Sequence, residues 1–197
     1  MVAISVGYRH YQQGVEGGLT PFDCVADCRA ALRHIRKHSE ALGVDPARVL
    51  AIGDSAGGHL SLMMGFPPAG DSWATARVAD LADPSDEDAA GVADAVVSYN
   101  PVADFETCAH AVTHVHGVER LSISPVHRLR AQAATYTGAT GLAPRVEYPP
   151  TLLIHGECDT VCLVEQSQLF AELAQSAWPD RVQYIELAGT QHAFCCE

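Results

Sequence analysis

Positive charge is scarce in this sequence. Its 197 residues carry 12 Lys and Arg against 24 Asp and Glu, for a formal net charge of −12, with a pI near 5.1. So acidic a surface repels phosphate backbones and anionic headgroups, so neither nucleic acid nor a membrane surface is an expected partner. Long apolar runs are lacking too, and none approaches the roughly 20 residues that span a bilayer. The start, MVAISVGYRH, has neither the basic opening nor the long apolar block of a signal peptide. The seven cysteines include no C-x-x-C pair. An odd count in a chain of this size points to reduced thiols and a cytoplasmic protein. Cys24 and Cys28 lie one helical turn apart, as packing residues would.

Hydrophobic residues make up 48% and charged residues 18% of the chain, an ordinary globular composition. The length suits one domain, residues 1–197, with a proper core. VAISVGY (2–8) is a β-branched run that predicts a strand. Thr20, Pro21 and Asp23 form a helix start resembling a capping box, followed by apolar Phe22, Val25, Cys28, Leu32, Ile35 and Leu42 at near-helical spacing. Gly43 is the expected stop. VLAI (49–52) predicts a buried strand that runs into a glycine-rich turn, and GGHLSLMM a helix broken at Pro67 and Pro68. Residues 69–91, rich in Ala, Asp and Ser without periodicity, predict a solvated excursion. Further strands are predicted at AVVSY (95–99), TLLIH (151–155) and RVQYIEL (181–187), and a helix at 164–177. Residues 102–148 predict a cap-like insertion of loops and short helices over the sheet. Strands alternating with helices imply an α/β fold, a mostly parallel sheet with helices on both faces.

The chemistry gathers at Gly53-Asp54-Ser55-Ala56-Gly57-Gly58. A Gly-x-Ser-x-Gly turn between a strand and a helix lifts the serine above the sheet in a strained conformation. Side chains two residues before and after the serine are expected to collide, hence Gly53 and Gly57. The helix beyond it aims its free N–H groups at a developing oxyanion, with Ala56 N–H the expected donor. A serine hydroxyl needs a base, and the base an orienting carboxylate. Asp159 follows strand TLLIH and His192 follows strand RVQYIEL, giving the order Ser…Asp…His. Glu157 is an alternative acid lying nearer its strand.

With those residues in view, the chain resembles the α/β-hydrolase esterases of the hormone-sensitive-lipase-like and carbohydrate-acetylesterase-like branch. The matching pieces are VGYRH, PFDCVADCRAALRHIRKHSEALGVDPARV, GDSAGGHL, PPTLLIHGECDTVCLVEQS and GTQHAF, spread over residues 6–194. The resemblance implies Ser55 as nucleophile, His192 as base and Asp159 as acid, with no metal or organic cofactor. It also implies a carboxylic ester substrate, short-chain or carbohydrate-borne, hydrolysed through an acyl-enzyme. Members of this branch carry a His-Gly-Gly-Gly oxyanion segment that does not occur here. By the resemblance it would precede Met1, on the loop after a strand that lies between those matching VAISVGY and VLAI. Losing one oxyanion donor costs on the order of 10²–10³ in turnover. The expectation is therefore an N-terminally truncated hydrolase, a fragment or a product with a misplaced start. Its sheet should either carry a central gap or pair those two strands directly, and an unpaired strand edge would favour a homo-oligomer.

Other features read more plainly. His110, His114 and His116 lack a carboxylate or thiolate that would complete a metal site. His59 reads as a buried, hydrogen-bonded residue, and His155 as the structural end of a strand. Cys158 and Cys162, which bracket Asp159, read as loop and helix-start packing. The rival functions are a serine peptidase of the prolyl-oligopeptidase type, a non-catalytic relative that binds a ligand, and a product without function of its own.

Overall fold

The structure is a computed structural model that describes residues 1–10, 18–66, 92–108, 124–130, 148–192 and 194–196. The expected excursion at 69–91 and the histidines at 110, 114 and 116 lie outside the described residues.

Helix α1 (Pro21–Lys37) begins as its sequence dictates. The Asp23 carboxylate accepts both the N–H and the hydroxyl of Thr20, at 2.7 and 2.8 Å. A break at His38 leads into the short α2 (Ser39–Leu42), and Gly43 ends it at φ +66°. Four strands follow: β1 (Leu50–Asp54), β2 (Ala95–Tyr99), β3 (Thr151–Gly156) and β4 (Val182–Leu187). All pair in parallel in the order β1-β2-β3-β4. Helix α3 (Ala56–Met63) follows β1, and α4 (Glu165–Ala177) connects β3 to β4.

Register places Ala51, Val96, Thr151 and Val182 on one face, one step from Gly53, Ser98, Leu153 and Tyr184 on the same face. Val96, Leu153 and Val182 are buried with Leu62 and Met63 of α3, Phe170 of α4, and Val25 and Leu32 of α1 in one core. Arg29 of α1 is buried as well and donates to the Phe66 and Met63 carbonyls at 3.0 and 3.3 Å, a cation at the end of α3. Core packing extends into the stretch expected to be cap-like, since Ala103, Val126, Leu129 and Tyr148 are buried with the rest. On the opposite face Leu50 is 50% and Ile52 61% exposed. Among the described residues, the core helices thus cover one face of the sheet.

The expected strand at VAISVGY is corrected: residues 1–10 pair with no strand among the described residues. Strand preference describes a fit to a neighbouring strand, and here β1 is bonded on one edge, by β2. The segment is tied to α1 instead. Arg9 donates from its backbone and guanidinium to Asp27, at 2.9 and 2.7 Å, and Arg9 O accepts from the Cys24 thiol. The Arg9 hydrogen bond holds the Asp27 carboxyl below its ordinary value. Val2, Ile4 and Val6 remain exposed. No helix among the described residues is long and apolar enough to cross a membrane.

Candidate active site

Ser55 sits in the turn between β1 and α3 with φ +55° and ψ −115°. This is the strained backbone that the Gly-x-Ser-x-Gly pattern predicts. Two bonds hold the turn, from Ser55 N–H to Tyr99 O at 2.9 Å and from His59 N–H to Ser55 O at 3.0 Å. A Cβ on Gly53 would stand 2.2 Å from Gly57 O, so glycine is required there. The reason given for Gly57 is corrected, because a Cβ on it meets nothing within 4 Å. The crowded glycine after the serine is Gly58, whose Cβ would lie 2.5 Å from Tyr99 O. Ala56 opens α3, and an N–H in the first turn has no acceptor within its own helix.

Two further strand ends complete the constellation. His192 Nε2 lies 2.9 Å from Ser55 Oγ, and Nδ1 lies 2.5 Å from Asp159 Oδ2. A carboxylate can only accept, so Nδ1 carries the proton and Nε2 is left to accept the serine hydroxyl. The Asp159 side chain is fully buried and that of His192 is 16% exposed. Asp159 Oδ1 accepts the Val161 and Cys162 N–H groups, both at 2.8 Å. The loops bearing the acid and the histidine are also bonded to each other. Cys158 N–H donates to Thr190 O at 2.9 Å, and Gly189 N–H to Glu157 Oε2 at 2.8 Å. A Cβ on Gly156 would strike Thr190 O at 2.4 Å, so the loops touch at backbone distance.

His155 is buried directly beneath Asp159. Its Nε2 lies 2.7 Å from Cys162 O and its Nδ1 2.7 Å from Ser167 Oγ. A carbonyl only accepts, so the proton sits on Nε2, and burial pushes the pKa down. That nitrogen is also 3.2 Å from Asp159 Oδ2. His59 is buried and hydrogen-bonded as expected, with Nδ1 3.2 Å from Val102 O. Its Nε2 has no partner, and burial pushes its pKa down to about 4. It is a neutral packing residue, edge-on to Phe105. The buried thiol of Cys162 bonds to Pro101 O and fits the packing reading, whereas Cys158 is exposed.

Sequence reasoning missed Asn100, the residue after β2. It is buried, has φ +43°, and bonds toward both the serine turn and the acid loop. Its one visible signal is its type, since asparagine tolerates φ > 0 better than most residues.

Residues 1–173 match the family model BD-FAE. The chain belongs to the BD-FAE family. Its parallel sheet, serine turn and crossover helices are part of an α/β-hydrolase esterase fold. The structure of Thermogutta terrifontis esterase 2 phosphoramylated by tabun is 29% identical with a TM-score of 0.66, covering 89% of this BD-FAE chain and 56% of that one. The same esterase with propionate bound superposes with a TM-score of 0.65 at 29% identity, covering 89% and 57%. Among curated proteins, "Probable carboxylic ester hydrolase LipM" of Mycobacterium tuberculosis is 28% identical over 195 residues, 98% of this chain and 42% of its own. "Esterase LipC" of the same organism is 28% identical over 186 residues, 86% of this chain and 40% of its own. The chain thus spans less than half the length of these curated relatives.

Proposed function

We propose that this BD-FAE chain carries the triad of a serine carboxylic ester hydrolase acting on short-chain or carbohydrate-borne acyl esters. The observation that carries the reading is the continuous relay Ser55 Oγ, His192 Nε2, His192 Nδ1, Asp159 Oδ2, at 2.9 and 2.5 Å. Ser55 Oγ attacks the ester carbonyl carbon while His192 Nε2 takes its proton. Ala56 N–H stabilises the oxyanion, and Asp159 holds the imidazolium that forms. His192 then gives the proton to the departing alcohol oxygen, leaving an acyl group on Ser55. Water, deprotonated by the same nitrogen, attacks that acyl carbon; the bond to Ser55 Oγ breaks, Oγ takes the proton back from His192 Nε2, and the carboxylic acid is released. Short acyl groups are favoured because structural neighbours carry propionate and butyrate, and the names of both curated relatives support ester hydrolysis.

A ligand-binding role without turnover is the second reading, since residues 1–197 contain no His-Gly-Gly-Gly run to supply a further oxyanion donor. Intact-mass analysis after treatment with a fluorophosphonate separates the two. One adduct on the wild type, absent from Ser55→Ala and at least 10²-fold slower on His192→Ala, is the expected result, roughly what a lost general base costs. No adduct on folded protein would overturn the esterase reading and favour ligand binding.

A further inference from the structure

Among the described residues, two that are not glycine have φ in the left-handed region, Ser55 and Asn100. Ser55 needs that conformation to present its hydroxyl. Asn100 is neither a nucleophile nor a turn tip. It is fully buried at the C-terminal end of β2, the strand between those that end in the serine turn and the acid loop. Three bonds leave it in two directions. Its N–H donates to Ile154 O of β3 at 3.0 Å. Its side-chain Oδ1 accepts Gly156 N–H at 3.1 Å, where β3 opens into the loop of Asp159. Its Nδ2 donates to Asp54 Oδ1 at 3.1 Å, the carboxylate beside Ser55. The preceding residue supplies the remaining tie through Tyr99 O, which accepts Ser55 N–H.

We propose that Asn100 is a positioning residue whose side-chain amide clamps the nucleophile turn to the acid loop and so sets the reach between Ser55 and the His192–Asp159 pair. This rests on the triad reading given above. The chemistry explains the residue type. One end of the clamp faces a donor, Gly156 N–H, and the other an acceptor, the Asp54 carboxylate. An amide carries its donor and its acceptor on separate atoms, so one side chain reaches both partners at once, whereas a serine or threonine hydroxyl would have to serve both from a single oxygen. An aspartate would keep the backbone conformation and the Gly156 bond but set two carboxylates against each other. A leucine would leave Gly156 N–H buried and unpaired.

The test is a polarity swap in residues 1–197. Asn100→Asp is expected to fold, checked by circular dichroism and thermal unfolding, and to react with a fluorophosphonate at Ser55 about 10- to 100-fold more slowly, as small misplacements of reacting groups do. The double variant Asp54→Asn/Asn100→Asp restores donor facing acceptor, and its labelling rate is expected to recover to within about threefold. A second readout is the downfield proton resonance of His192 Nδ1–H, which should shift or vanish in the single variant and return in the double. Wild-type rate and resonance in Asn100→Asp would overturn the clamp. So would a folded double variant that recovers neither, since the role would then be general packing. If the wild type itself fails to label, the esterase reading fails, and the resonance alone decides whether Asn100 sets the relay.

Discussion

Asp159 has no carboxylate oxygen to spare. Oδ1 takes two backbone N–H groups, while Oδ2 faces His192 and lies near His155. Asn at this position preserves volume and can keep Oδ1 in place, but it turns a donor toward His192 and selects the wrong tautomer. Asp159→Asn should therefore fold and lose on the order of 10⁴ in fluorophosphonate labelling rate. Glu157 provides the contrast, because its carboxylate is engaged with Gly189 N–H and a glutamine oxygen can accept that bond equally well. Glu157→Gln should label within about threefold of wild type, and a loss matching that of Asp159→Asn would make Glu157 the acid instead. At this scale the sequence was most legible in placement, since Ser55, Asp159 and His192 each stand past a strand end, with His192 within hydrogen-bond reach of the other two. Asn100 was hidden because its partners lie 46 and 56 residues away, a contact no local pattern encodes.

Elements defined by their own periodicity were equally legible. AVVSY gave β2 to the residue, and TLLIH, RVQYIEL and the helix at 164–177 differ from their observed bounds by one residue. VAISVGY failed for the opposite reason, since a strand is a property of two segments and its own sequence specifies one. The serine turn shows a finer limit: the pattern marks three glycines after residue 52, yet only contact geometry says which are indispensable. Gly53→Ala and Gly58→Ala press a methyl into the Gly57 and Tyr99 carbonyls, so each should destabilise the chain by about 2–4 kcal/mol as backbone is forced apart. Gly57→Ala meets open space inside a helix and should be neutral or stabilise by up to about 1 kcal/mol. Thermal unfolding of the three variants tests the ranking. Equal losses at all three positions would sink it.

Across the whole molecule, two buried histidines far apart in sequence share one consequence. His59 and His155 are both held neutral by burial, His59 with its pKa near 4 against an ordinary 6.5. Between those values the unfolded chain binds a proton that the folded chain refuses. Stability is thus fully present above pH 6.5 and is lost as pH falls toward 4. For His59 the loss amounts to about 3 kcal/mol, at 1.36 kcal/mol per unit of displaced pKa. His155 adds to the fall in the same direction. The lowered carboxyls of Asp27 and Glu186 act as pH falls through and below their ordinary values of 3.8 and 4.5, so the histidine contribution is isolated by comparison with a variant that lacks the His59 charge. Urea unfolding at pH 7.5 and pH 4.5 should show wild type losing several kcal/mol across the interval, a large share of the 5–15 kcal/mol typical of a folded domain. His59→Gln, which can still donate to Val102 O and never charges, should lose about 3 kcal/mol less over the same interval. An identical fall in both proteins would mean that His59 is protonated in the folded state, and that its packing against Phe105 leaves room for water at Nε2.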